Sequence, residues 1–116
     1  MVWDQQMAVM WRGYVHDRIR DWFRNDSSAP AVRARELVLA LSEPTERSRL
    51  TQLSPEVARL YATTSQKTLT RDIQAVEALG LVVRDGERFR PKTESLLSFL
   101  PLQAPRGGAS QLPGQG

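Results

Sequence analysis

The sequence predicts a mainly α fold with one small β-hairpin. Two observations lead there. Apolar residues recur at spacings of three and four in successive segments, and an Asp-Gly pair late in the chain separates two short strand-like runs. A third observation bounds the folded part: after Leu100 the chain turns into "PLQAPRGGASQLPGQG", rich in Pro, Gly, Gln and Ser and without apolar period. The expected organisation is an amphipathic N-terminal helix over 1–25, a compact domain over 31–100 and a disordered tail over 101–116.

The first helix is expected from Val2 to Arg24. Trp3, Met7, Met10, Trp11, Tyr14, Val15, Ile19, Trp22 and Phe23 fall on one face; Asp4, Gln5, Arg12, His16, Asp17 and Arg20 fall on the other. This helix carries all three Trp residues of the chain. A face so aromatic must be covered. Trp3, Met7, Trp11, Tyr14 and Trp22 are therefore the candidate face for packing on the chain's own domain or for a homodimer. The polar face mixes charge signs, which disfavours a membrane surface. Gly13 weakens the middle, and the segment "NDSSAP" at 25–30 ends the helix.

A second helix is expected over Ala31–Leu41, with Val32, Leu37, Val38 and Leu41 inward. Ser42, Glu43 and Pro44 stop it. "TERSRLTQ" reads as a polar connector with Leu50 and Leu53 tucked in. Ser54-Pro55-Glu56 then combines an N-cap, a Pro at the first helical position and an acid near the positive end of the helix dipole. The short helix it starts, Pro55 to Ala62, turns Val57, Ala58 and Tyr61 inward.

Thr63-Thr64-Ser65 separates this short helix from the next, which Ser65 caps. Leu69, Ile73, Val76 and Leu79 form its inner face, and Gly80 suits a left-handed residue just past its end. Gln66, Lys67, Thr70, Arg71 and Gln74 form the outer face. Leu81-Val82-Val83 and Arg88-Phe89-Arg90-Pro91 flank Asp85-Gly86, a pair suited to a type I′ turn with two positive φ values. Phe89 and one of Val82 or Val83 face inward. Arg84, Arg88, Arg90 and Lys92 project from a small basic ribbon. Glu94–Leu100 adds a final helical turn or two. Helix, short turn, helix and hairpin in that order make a winged helix-turn-helix, here preceded by a long amphipathic helix.

The stretch "SQKTLTRDIQAVEALGLVVRDGERFRP" also resembles the winged helices of DeoR-type regulators and the C-terminal winged helix of Fic-family proteins. Ser65, Thr68, Leu69, Arg71, Asp72, Ile73, Gly80 and Leu81 carry the resemblance. The long aromatic helix upstream and the "SFLP" ending lean toward the Fic version. The resemblance implies a winged helix that binds DNA, either a regulator or the end module of a larger protein. Such motifs usually place Gly in the turn, where this chain has Thr63. It implies no adenylyl transfer: His16 is followed by Asp17, and the His-Pro-Phe loop of Fic enzymes has no counterpart.

Composition bounds the function. With 116 residues, 41% hydrophobic and 25% charged, the chain can bury a core. The net charge is +3 and the pI about 9.9, which suits an acidic partner mildly. Between Ser54 and Thr93 seven basic residues face five acidic ones, a net of +2. Dimerisation would double that footprint. Without Cys there is no disulfide, thiol nucleophile or Cys-ligated zinc, and one His makes no metal site or triad. No enzyme activity, cofactor or small-molecule substrate is expected. The N-terminus, with Asp4 early and Arg12 late, does not read as a secretory leader, and no run of apolar residues is long enough to span a membrane, so a cytoplasmic protein is expected.

The leading expectation is a double-stranded DNA-binding protein in transcription regulation. Ser65, Gln66, Lys67, Thr68, Thr70, Arg71, Gln74, Arg84, Arg88 and Arg90 are the candidate contacts. Arg, Lys and Gln can bond base edges, while hydroxyls and the first amides of a helix suit phosphates. Asp72 is expected to pair with a neighbouring Arg or with backbone amides and so fix the turn. The alternative is a protein-interaction or dimerisation module built on the same fold.

Overall fold

The computed structural model describes residues 5–24 and 27–99. Trp3, Leu100 and the segment expected to be disordered, 101–116, lie outside them. The architecture is mainly helical with a three-stranded antiparallel sheet: α1 (Gln5–Phe23), α2 (Ala29–Ala40), β1 (Thr45–Glu46), a 3-10 helix (Arg47–Gln52), α3 (Pro55–Tyr61), α4 (Gln66–Ala78), β2 (Val82–Asp85), β3 (Arg88–Pro91) and α5 (Glu94–Phe99). None of the described helices is long and apolar enough to cross a membrane.

Helix α1 buries Trp11, Val15 and Ile19, spaced by four, along α2, with Met7, Met10, Tyr14 and Phe23 partly covered. The rings of Trp11 and Tyr14 lie 5.9 Å apart, tilted by 32°. This face therefore serves mainly the chain's own core. Trp22 departs from it. At about 100° per residue Trp22 lies on the same stripe as Trp11 and Val15, yet it is 52% exposed. It occupies the last turn, just before Arg24 leaves the helix at a φ of 61°, where the stripe outruns its cover.

Helix α2 is the central element and packs against α1, α3 and α4. It begins at Ala29 rather than Ala31, because Ser28 accepts the Ala31 N–H at 3.3 Å and Pro30 fits the first turn. Its buried stripe is Ala31, Ala34, Leu37 and Val38, followed by Leu41 just past its end. Val32, expected inward, is only partly buried. Two alanines at the contact let neighbouring helices approach closely, a role that a hydrophobicity pattern underrates.

The polar connector expected before Ser54 is partly regular. Thr45 and Glu46 pair antiparallel with Phe89 and Arg88, which places β3 in the middle of the sheet, in the order β1-β3-β2. Leu50 of the 3-10 helix is buried and Leu53 partly so. Ser54 caps α3 through the Val57 N–H at 3.1 Å. Val57 and Tyr61 are buried, but Ala58 is exposed, since a helix this short offers only one narrow inner stripe.

Helix α4 buries Leu69, Asp72, Ile73 and Val76, with Leu79 at its C-terminal cap. Gly80 follows at a φ of 76°. The Gly80 N–H bonds Glu77 O and the Leu81 N–H bonds Val76 O, both at 3.0 Å, which closes a Schellman motif over the buried pair Val76 and Leu81. In the hairpin Asp85 pairs with Arg88, so the loop residues are Gly86 and Glu87, not Asp85 and Gly86. Only Gly86 has a positive φ, 67°. That sign pattern belongs to a type II′ turn; a type I′ turn needs both central residues positive.

Candidate nucleic-acid interface

The α3–α4 turn forms without a left-handed residue. Thr63 has no positive φ. The Thr64 N–H and hydroxyl both donate to Tyr61 O, at 3.2 and 3.1 Å, and Ser65 accepts the Thr68 N–H at 3.2 Å to start α4. Thr63 can thus stand where glycine is usual because no left-handed residue is needed there, while the neighbouring Thr64 hydroxyl satisfies a carbonyl at the end of α3.

Lys67, Arg71 and Gln74 are all exposed, and spacings of four and three put them on one stripe opposite Leu69, Ile73 and Val76. No ion pair with a described residue engages them. The other candidates on α4 are placed differently. Ser65 is exposed at the cap, with its hydroxyl 3.3 Å from that of Thr68, which is half-buried. Gln66 and Thr70 are held by Arg47, whose Nη2 lies 2.7 Å from Thr70 Oγ1 and 3.2 Å from both Gln66 O and Gln66 Oε1. Arg47 brings a third cation to the first turns of α4. Its segment had read as a connector, and only the β1 pairing carries it there.

The hairpin arginines do not form a single basic ribbon face. Cross-strand partners share a face of a sheet, so Arg84 lies on the side of its partner Phe89, with its guanidinium carbon 4.9 Å from the centre of that ring. Arg88 and Arg90 point to the opposite side, where Arg88 is exposed. Arg90 is engaged: two bonds of 3.1 Å join it to Glu94, and Asp85 lies 3.9 Å away. These acids raise the Arg90 pKa, the Glu94 bond most of all, and the same bond lowers that of Glu94.

Three arginines from three upstream elements hold α4 along its length. Arg47 grips the first turns, as above. In the middle Arg33 of α2 donates to Asp72 at 2.8 Å. At the end Arg18 of α1 donates to Leu79 O from Nη2 at 3.1 Å and Nε at 3.3 Å, placing a cation at the negative pole of the helix. Asp72 thus finds an Arg, as expected, but one far away in sequence. It also accepts from the Tyr61 hydroxyl at 2.6 Å. Burial, and then the bond to Asp72, raise the Tyr61 phenol well above its ordinary value. The bond to Asp72 also raises Arg33.

Two hollows lie away from the α4 stripe. One groove of about 550 Å³ runs between α1 and β3 past Ala8, Val9, Trp11, Leu39 and Pro91, and a second of about 540 Å³ lies beside β1, with Glu43, Glu46, Arg49 and Arg88 on its walls. Comparisons with protein-family models, curated proteins and solved structures find no match to this chain.

Proposed function

We propose that the chain is a winged-helix DNA-binding protein acting on double-stranded DNA in the cytoplasm, as a transcriptional regulator or as the regulatory end module of a Fic-like protein. One observation carries the reading: Lys67, Arg71 and Gln74 stand exposed on one stripe of a helix whose opposite stripe is buried. A major groove about 12 Å wide accepts one such helix, and these three side chains are suited to base edges and phosphates. Arg47 adds a cation at the first turns of α4, Arg88 is an exposed cation of the hairpin, and the Ser65 and Thr68 hydroxyls stand where α4 begins. The helix, turn, helix and hairpin order supports the resemblance to DeoR-type and Fic-type winged helices.

The test is a salt titration of duplex binding with the native chain, Arg71→Ala and Arg88→Ala. A lost phosphate contact is expected to weaken binding across sequences and to lower the salt slope by about 1, a lost base contact to relax the sequence preference at one position. Variants that bind like the native chain, or a native chain that binds no duplex at moderate salt, would overturn the reading.

A second reading, a protein-interaction or homodimer module, is favoured by Trp22, whose ring is half exposed on α1. Sedimentation at several concentrations addresses the homodimer; a strict monomer with Trp22 exposed counts against it.

A further inference from the structure

Asp72 is the only charged residue fully buried among the described ones, at 3% exposure. It projects from α4 directly after Arg71. Its Oδ2 accepts from Arg33 Nε at 2.8 Å and from Tyr61 Oη at 2.6 Å, and its Oδ1 lies 3.5 Å from Arg33 Nη2. Arg33 belongs to α2, Tyr61 to the last turn of α3. One carboxylate thus joins the two helices of the helix-turn-helix to α2.

Stability alone does not call for such a cluster. Burying two opposite charges sacrifices their hydration, and an apolar group of similar volume often serves equally well or better. What an apolar group lacks is direction. A guanidinium fork and a phenol O–H meet a carboxylate along fixed lines. A helix that presents one carboxylate to both of them is held in rotation and in tilt. Successive residues on a helix point about 100° apart, so the orientation of Asp72 dictates that of Arg71, and with it the whole Lys67–Arg71–Gln74 stripe. Arg18 and Arg47 reach mainly main-chain and polar atoms near the two ends of α4; only Arg33 acts through a buried carboxylate at the middle.

We infer that the Arg33–Asp72–Tyr61 cluster is a positioning device that sets the pose of α4 against α2 and α3. Resting on the DNA reading, it thereby decides which base edges the exposed stripe meets. Arg33 and Tyr61 are then specificity determinants that touch no nucleic acid.

The test compares the native chain with Arg33→Met/Tyr61→Phe/Asp72→Leu, which fills the same space without directional bonds. Two measurements are made. The first is the distance distribution between spin labels on Ala29→Cys and Ala78→Cys, both exposed positions at the outer ends of α2 and α4; with no native cysteine, labelling is confined to them. The native background gives one narrow distribution, and the triple variant, with helix content retained by circular dichroism, gives one about twofold broader or displaced. The second is binding to a duplex selected by the native chain from a randomised pool, set against the same duplex scrambled. Discrimination falls about tenfold in the variant, while affinity for the scrambled duplex and its salt slope stay native. If circular dichroism shows the triple variant unfolded, Asp72→Asn, which removes the charge at constant volume, replaces it in both measurements. An unchanged distance distribution overturns the positioning role. A broadened distribution with native discrimination overturns the link to sequence. A broadened distribution with no duplex selected even by the native chain supports the positioning role and overturns the DNA reading instead.

Discussion

Arg90 and Glu94 meet through two parallel bonds, Nη1 to Oε1 and Nη2 to Oε2, each of 3.1 Å. The pair joins the central strand of the sheet to the first turn of α5. It also neutralises one of the hairpin cations that the sequence offers to DNA. A guanidinium satisfied by a carboxylate has little left for a phosphate unless the two exchange partners.

Replacing Glu94 by Gln should therefore release Arg90. The expected outcome is tighter duplex binding with a salt slope steeper by about 1, measured by fluorescence anisotropy across a salt series. The pH dependence has a defined sign. The Arg90 bond holds Glu94 below the ordinary carboxyl value of 4.5, so its contribution is present above that value and is lost as pH falls through the lowered pKa. A carbon-detected NMR titration of the Glu94 carboxyl should follow that course, and its midpoint should rise toward 4.5 in Arg90→Ala.

Alkali should act through Tyr61. Its phenol is raised above the ordinary value of 10.0, first by burial and then by Asp72. A raised pKa means that the unfolded chain loses this proton first. Stability is complete below pH 10 and declines as pH climbs from there toward the folded pKa. Urea midpoints measured between pH 8 and pH 11 (about 8 to 11 spans the ordinary tyrosine range) should fall at the upper end. In Tyr61→Phe that decline should flatten.

Truncating Asp72 should cost far more than truncating its exposed neighbour Arg71. Asp72→Ala leaves the Arg33 guanidinium without its carboxylate partner and the Tyr61 O–H without its acceptor. Removing one member of a buried pair costs about 3 kcal/mol or more. Equilibrium denaturation should show this loss, whereas Arg71→Ala next door, on the exposed side, should stay within about 0.5 kcal/mol.

Gly80 should resist replacement for conformational rather than spatial reasons. Its φ is 76°, and a Cβ there would meet only Ser95 Oγ at an ordinary 3.8 Å. Gly80→Ala should cost about 1 kcal/mol from the left-handed backbone alone. A loss several times larger would mean that the space is tighter than this contact indicates.

Helix α4 was legible because its signals are local. Leu69, Ile73, Val76 and Leu79 mark the inner stripe, Ser65 the start and Gly80 the stop, and all fall within one short stretch. The same holds for α3 with Ser54 and Pro55. Strand β1 was not legible: two residues have no period, and Thr45 and Glu46 are a strand only because Phe89 and Arg88 pair with them. Arg47 owes its place over α4 to that pairing, so it too was invisible. Asp72 could be marked as a residue seeking a partner, but Arg33 as that partner depends on how α2 crosses α4. Ala31 and Ala34 were passed over for Val32 because hydrophobicity does not register the value of being small. The turn at Gly86 was misplaced by one residue because its type depends on strand register, which Asp-Gly alone does not specify.

The pairing of β1 with β3 also closes a long loop. β3 meets β2 through a two-residue loop, whereas its pairing with β1 closes a loop that spans α3 and α4, at a larger entropic cost. Everything between Thr45 and Phe89 is thereby enclosed in that loop. Loss of the β1 pairing alone would leave one side of β3 as a bare strand edge, open to pairing with another molecule.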